Sequence, residues 1–277
     1  MGDRPGISVF FPVYKDEGTI RAMTLRALEV LDEVAGDYEV VIVNDGSPDR
    51  CGEIADRLAA EYDAVRVVHH PRNLGYGRAV QTGLAHARRC EWVCLTDGDF
   101  QYDLGELYHL VKLLPHQDVL LGFRPRKVYG LVRVLMSAGL NWSVRRLFGT
   151  PFRDVTCGLK LIRRAAVDNL PLSSTSPFIG GELAVRAAFK GYRVAEVAIS
   201  TYPREHGDSA VISLRNIWAT LVDILRLRRD LFRNRPREAC RTLEPSLTAR
   251  PSTRTTVEAA DSADTVDAVE AVRTIPR

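Results

Sequence analysis

Trp92-Val93-Cys94-Leu95-Thr96-Asp97-Gly98-Asp99-Phe100-Gln101 decides how this chain is read. Its apolar opening reads as a buried strand, and two carboxylates spaced i, i+2 close it. At a strand end that spacing lets both carboxylates face one hard cation, and Gln101 repeats the spacing on the same side. An ion held by so few protein oxygens would keep positions open for phosphate oxygens. Alone, the Asp-x-Asp pair describes a solvated turn equally well. Here it is the third in a series of polar strand ends, and the series carries the reading.

Outward from this stretch, apolar strands alternate with amphipathic helices. The strands are Ile7–Val13, Tyr38–Val43, Val65–His69, Trp92–Thr96 and Asp118–Gly122; the helices fall at about 18–34, 50–62, 76–90 and 103–114. Near-continuous apolar strands separated by helices predict an α/β fold with a central, mostly parallel sheet covered on both faces. In such sheets the ligand crevice lies beyond the carboxyl ends of the strands. After about residue 125 the rhythm changes to a long helix (128–148), a strand-like 155–162, a helix near 180–190, a strand at 192–199 and a helix at about 212–232. One domain over 1–235 is expected, with a first half at 5–124 and a second at 125–235. The stretch 238–277 is rich in Thr, Ser, Ala and Pro and is expected to be disordered.

Bulk properties narrow the classes. The chain has 277 residues, 45% hydrophobic and 26% charged, with a net charge of +3. That charge is too small to argue for nucleic acid. The cysteines at 51, 90, 94, 157 and 240 are odd in number and scattered, which predicts reduced thiols in a cytoplasmic setting. No signal-peptide pattern opens the chain, and no stretch approaches 18 apolar residues without charges, so no spanning segment is predicted.

Two other strand ends join the acidic pair. The first runs Pro12-Val13-Tyr14-Lys15-Asp16-Glu17, the second Val43-Asn44-Asp45-Gly46-Ser47-Pro48-Asp49. Asp45 could accept from a base or ribose hydroxyl; a plain strand–turn–helix joint capped by Ser47 or Asp49 reads the same segment without a ligand. Arg72-Asn73-Leu74-Gly75-Tyr76-Gly77 then opens a helix with glycines, which suits either close approach of a phosphate or a simple turn.

Taken together, these segments resemble family 2 inverting glycosyltransferases of the GT-A fold, close to the dolichyl-phosphate (polyprenyl-phosphate) mannose synthase branch. Later matches are Gly122-Phe123-Arg124, Asp154-Val155-Thr156-Cys157-Gly158-Leu159-Lys160, Glu182-Leu183-Ala184-Val185-Arg186 and Arg204-Glu205-His206-Gly207-Asp208-Ser209, so the resemblance covers roughly 5–235. It implies a hexosyltransferase whose donor site contains Pro12, Tyr14, Asp16, Asp45, Gly75, Asp97 and Asp99. It implies Mg²⁺ or Mn²⁺ on Asp97, Asp99 and Gln101, and GDP-mannose as donor. Arg124, Arg133, Ser137 and Arg204 would bind the phosphate of a polyprenyl-phosphate acceptor, with Asp97, Asp99, Arg124 and Arg204 as the catalytic set. The first motif departs from the family pattern: Lys15-Asp16 stands where Asn-Glu is usual.

Other features admit two readings each. Glu182 would orient the acceptor or serve as base for a hydroxyl acceptor, or it is a buried carboxylate paired with Arg186 at i, i+4. His69, His70 and His206 lack a matched ligand set, and Cys157 reads as a small core residue. The segment Ile212–Phe232, with Arg215, Arg226, Arg228, Arg229 and Arg233, would lie in the headgroup plane of a membrane or pack on the domain with a charged outer face. The helix at 128–148 is a second such candidate. The resulting expectation is a peripheral protein on the cytoplasmic membrane face. Against it stand a soluble hydroxyl acceptor on the same fold and a non-catalytic nucleotide-sugar-binding protein. A sugar-phosphate nucleotidyltransferase fits less well, because no glycine-rich, lysine-containing triphosphate loop follows the first strand.

Overall fold

The computed structural model describes residues 4–125, 130–202, 213–233 and 272–274. Strands β1 (Gly6–Val13), β2 (Asp37–Asn44), β3 (Val65–His69) and β4 (Trp92–Leu95) alternate with helices α1 (Ile20–Val34), α2 (Cys51–Glu61) and α3 (Tyr76–His86). A short helix α4 (Leu107–Leu110), flanked by 3₁₀ turns, leads to β5 (Val119–Phe123). Then follow α5 (Leu131–Phe148), β6 (Lys160–Arg163), α6 (Arg164–Asp168), α7 (Ile179–Phe189), β7 (Val194–Ala198), α8 (Leu214–Arg233) and β8 (Val272–Thr274).

The sheet order is β3-β2-β1-β4-β6-β5-β7-β8. Pairings β1–β2, β1–β4, β2–β3 and β5–β7 are parallel, as expected for βαβ crossovers. β6 runs antiparallel between β4 and β5. β1 shows why the strands read as unbroken apolar runs. Val9 and Phe11 enter the core under α1 and α2, while Phe10 enters the opposite core under α3, α5 and α7. With both faces covered, alternation offers no polar side.

One strand expectation needs correction. Residues 155–162 were expected to be strand throughout, but the strand starts only at Lys160. Cys157 N–H closes a turn on the Asp154 carbonyl, and Gly158 passes so near Asp97 that a Cβ would sit 2.3 Å from its carboxylate oxygen. The apolar run is therefore a loop drawn toward the acidic pair. Of the expected disordered stretch 238–277, Val272–Thr274 pairs antiparallel with β7, and the remainder lies outside the described residues.

Candidate active site

The carboxyl ends of β1, β2 and β4 converge. β1 and β4 touch so closely that a Cβ on Gly98 would meet the Pro12 carbonyl at 2.7 Å, so glycine between the two aspartates is a packing requirement. The Thr19 hydroxyl donates to the Gly98 carbonyl at 2.9 Å, tying this turn to the start of α1. Lys15 and Phe100, one after each strand, hold left-handed backbone at φ 60° and 61°. Non-glycine residues adopt that conformation rarely, and it clusters at functional sites.

Asp45 is almost entirely buried and organises the neighbouring loop. Its carboxylate accepts from Leu74 N–H and Gly75 N–H, both at 2.9 Å, and meets the His70 ring at 2.7 Å. Asp16 accepts from Tyr14 N–H at 3.0 Å. Pro12, Tyr14, Asp16, Asp45 and Gly75 all line one large cavity of about 1410 Å³.

Asp97, Asp99 and Gln101 line the same cavity. Asp97 accepts from the Tyr76 hydroxyl at 2.8 Å, and Asp99 accepts from Gln101 N–H at 3.2 Å. Burial pushes the Tyr76 hydroxyl well above its usual pKa, and the charge of Asp97 adds to the rise, so Tyr76 remains a donor. Two carboxylates and an amide oxygen on one wall are the hard donors that Mg²⁺ or Mn²⁺ prefers. Tyr76 occupies one oxygen of Asp97, and a carboxylate has further lone pairs for an ion. The donor set fits such an ion. Among the described residues no group of three or more His, Cys, Asp or Glu is placed to hold a metal ion.

Across the cavity, the Arg124 guanidinium is gripped from several sides. Its Nε and Nη2 donate to the two Asp154 oxygens at 2.6 and 2.9 Å, Nη1 to the Tyr102 hydroxyl at 3.2 Å, and Nη2 to Thr156 Oγ1 at 2.7 Å. Burial by itself would lower the Arg124 pKa; the hydrogen bonds and charge of Asp154 more than offset that, and the value goes up. Thr156 donates to Asp154 and lies 3.4 Å from Ser137 Oγ. Arg124, Arg133, Ser137 and Thr156 thus share one wall.

Beyond that wall the cavity turns apolar. Met136 and Leu140 of α5 and Ile217, Trp218, Leu221 and Leu225 of α8 line it. Trp218 is 70% exposed and Leu225 62%, so this end opens outward. α8 packs inward through Asp223, Ile224 and Leu227 while presenting Leu214, Trp218, Leu221 and Leu225 outward. No helix among the described residues is long and apolar enough to cross a membrane.

The glycosyl transferase family 2 profile matches residues 8–170, more than half of the chain. The chain belongs to glycosyl transferase family 2. It is 32% identical to glycosyltransferase AglD of Haloferax volcanii over 235 residues, covering 79% of this chain and 36% of that protein. It is 27% identical to dodecaprenyl-phosphate galacturonate synthase of Rhizobium johnstonii over 224 residues, covering 79% of this chain and 65% of that protein. The chain therefore spans less than two thirds of either relative. Among solved structures it is similar to glucosyl-3-phosphoglycerate synthase from Mycobacterium tuberculosis in complex with Mn²⁺, uridine diphosphate and phosphoglyceric acid. That match has a TM-score of 0.61 at 19% identity and covers 82% of this chain and 78% of that one. The fold is the GT-A arrangement expected from the sequence.

Arg204 and residues 206–209 lie outside the described residues. Glu182 is fully buried and does not line the cavity. It accepts from Ser173 N–H, Ser173 Oγ, Ser174 N–H and Arg186 Nε at 2.7–3.1 Å. Of its two readings, the buried pair with Arg186 is the one the geometry contains.

Several groups at the site carried no individual sequence signal: Tyr76, Tyr102, Asp154 and Lys160. Lys160 is 1% exposed, lines the cavity and donates to the carbonyls of Val155 and Cys157. Burial lowers its pKa. Burial raises the Cys157 thiol to about 11 and leaves it an unreactive packing group.

Proposed function

We propose that this chain is the catalytic unit of an inverting glycosyltransferase that moves a sugar from a nucleoside-diphosphate donor onto a polyprenyl phosphate. The observation that carries this reading is a single cavity with two chemically different ends, one lined by Asp45, Asp97 and Asp99 and the other by half-buried Met136 and Leu140 of α5 and exposed Trp218, Leu221 and Leu225 of α8. A sugar diphosphate suits the first, and an isoprenoid chain suits the second.

Asp97, Asp99 and Gln101 would hold a divalent cation, which when bound neutralises charge developing on the departing diphosphate. Tyr76 keeps the Asp97 carboxylate aimed into the cavity. Asp45 shapes the donor pocket by pinning the backbone of Leu74 and Gly75, and the β1 end supplies Pro12, Tyr14 and Asp16. Arg124, Arg133 and Ser137 would orient the acceptor phosphate toward the sugar face opposite the leaving group, with Arg204 joining them. A phosphate monoester has a second pKa of about 6, so it is already mostly dianionic at pH 7 and needs no general base. The cavity supports that economy: among its described lining residues the carboxylates are Asp16, Asp45, Asp97 and Asp99, all at the donor end.

The exposed apolar faces of α5 and α8 support a peripheral seat on the cytoplasmic leaflet, with the cavity mouth facing the lipid. GDP-mannose is the donor reading carried by the resemblance to the mannose synthase branch. The test is transfer of radiolabelled sugar into the organic phase with polyprenyl phosphate, using GDP-mannose beside uridine-diphosphate sugars. Label entering that phase from one donor supports the reading and names the sugar. No label from any donor, with Mg²⁺ or Mn²⁺ present, would overturn it.

A further inference from the structure

A second cavity lies outside the site just described. The segment whose Thr175, Ser176 and Phe178 line the large cavity also contributes Pro171 and Ser173 to a smaller one of about 390 Å³. Its other walls are Arg186 of α7 and Arg226, Arg229, Asp230 and Arg233 of α8. No residue of the donor or acceptor walls takes part.

The charges there are unbalanced. Arg186 is buried and already paired, with Nε on Glu182 and Nη1 on Asp230, each at 2.8 Å. Arg226 reaches Asp223 only at 3.6 Å. Arg229 and Arg233 have no hydrogen-bond or ion-pair partner among the described residues, and both are exposed. The spacing 226, 229, 233 places three guanidinium groups on one helical face, where like charges three and four residues apart repel. An oxyanion in the cavity would relieve that repulsion, and guanidinium forks match tetrahedral oxyanions bidentately.

The arginine face also borders the outward apolar stripe Leu214, Trp218, Leu221 and Leu225, offset by about a quarter turn of the helix. Arginines flanking the apolar face of an interfacial helix sit at the level of lipid phosphates.

We propose that Arg226, Arg229 and Arg233, with Arg186 at the floor, form a phosphate-binding site separate from the reaction cavity, suited to the phosphate of an anionic lipid headgroup or to free phosphate. The inference goes beyond glycosyl transfer and does not depend on it.

Binding of the full chain would be measured to vesicles of phosphatidylcholine alone, to vesicles of equal parts phosphatidylcholine and phosphatidylglycerol, and, by titration calorimetry, to inorganic phosphate. The double variant Arg229→Gln/Arg233→Gln should bind the anionic vesicles roughly tenfold to thirtyfold more weakly than wild type. The control Arg57→Gln/Arg88→Gln removes the same charge elsewhere on the surface and should change binding by roughly twofold at most, since distant exposed charges are screened. Loss confined to anionic vesicles assigns the site to a lipid headgroup. Phosphate heat that disappears in the first variant assigns it to free phosphate. Equal losses in both variants, phosphate heat that persists in Arg229→Gln/Arg233→Gln, or no binding of phosphate and no preference for anionic vesicles, would overturn the proposal.

Discussion

Arg124 and Asp154 form a two-pronged ion pair inside the protein, Nε to Oδ2 at 2.6 Å and Nη2 to Oδ1 at 2.9 Å. Both side chains are almost wholly shielded from solvent. Asp154 is itself anchored, because Glu196 on β7 accepts from the backbone N–H of Arg153 and of Asp154. Arg124 is therefore held by a scaffold reaching from β5 to β7.

Breaking that pair should cost stability before it costs chemistry. Asp154→Asn leaves a buried guanidinium without its counter-charge, a loss of about 3–5 kcal/mol. Urea unfolding followed by circular dichroism should show the midpoint fall accordingly. Arg124→Lys, which keeps the charge and loses the fork, should fold with a smaller deficit yet raise the acceptor KM roughly tenfold or more. An unchanged acceptor KM in a folded Arg124→Lys protein would remove Arg124 from the acceptor site.

Donor turnover should depend on the acidic pair and on a divalent ion. Asp99→Ala and exhaustive chelation should each lower kcat roughly a hundredfold or more, with Mn²⁺ or Mg²⁺ restoring only the chelated wild type. Tyr76→Phe removes one hydrogen bond to a charged group, worth about 1.5–3 kcal/mol. It should weaken metal dependence roughly tenfold without shifting the pH profile, because Tyr76 stays protonated. Full activity of Asp99→Ala would end the metal argument.

Glu182→Gln separates two acceptor chemistries. If Glu182 only ties Ser173, Ser174 and Arg186 together, the variant should lose roughly 2–4 kcal/mol of stability, as expected for a disrupted buried network, and retain kcat in its folded fraction. Turnover abolished at wild-type stability would instead identify a base acting on a hydroxyl acceptor.

Asp118 gives a pH signature. Hydrogen bonds from Arg193, at 3.0 and 3.1 Å, hold its carboxyl below the usual 3.8 despite partial burial. The unfolded chain therefore binds the proton first on acidification. The stabilisation is complete above about pH 4 and is lost as the pH falls through the lower, folded-state value. Arg193 is one-third exposed, so the effect should be under about 1 kcal/mol. Asp118→Asn should unfold more easily than wild type at pH 7, and the difference should shrink as the pH falls through the lowered, folded-state value.

Much of the first half was legible because each signal was local. β3 spans the residues its apolar run marks out, β1 and β4 differ from their expected bounds by one residue at one end, and β2 is longer by one residue at each end. Residues 155–162 misled because an apolar run looks the same in a buried strand and in a buried loop. Asp45 illustrates a subtler limit. Its position after β2 was readable, but its bonds to Leu74 and Gly75 depend on a loop that returns from β3.

Composition, hydrophobic period and motif spacing were enough to determine the layered α/β class, the polar strand ends and the place of the acidic pair at one of them, since these follow from short-range pattern. Only the tertiary structure decided that β6 inserts antiparallel, that Asp154 and Tyr102 hold Arg124, that Glu182 turns away from the cavity, and that three α8 arginines close on Arg186. The antiparallel insertion, the grip on Arg124 and the arginine cluster rest on contacts between residues 22 to 71 positions apart, where a side chain's partner is set by how whole elements pack and by the need to satisfy every buried charge.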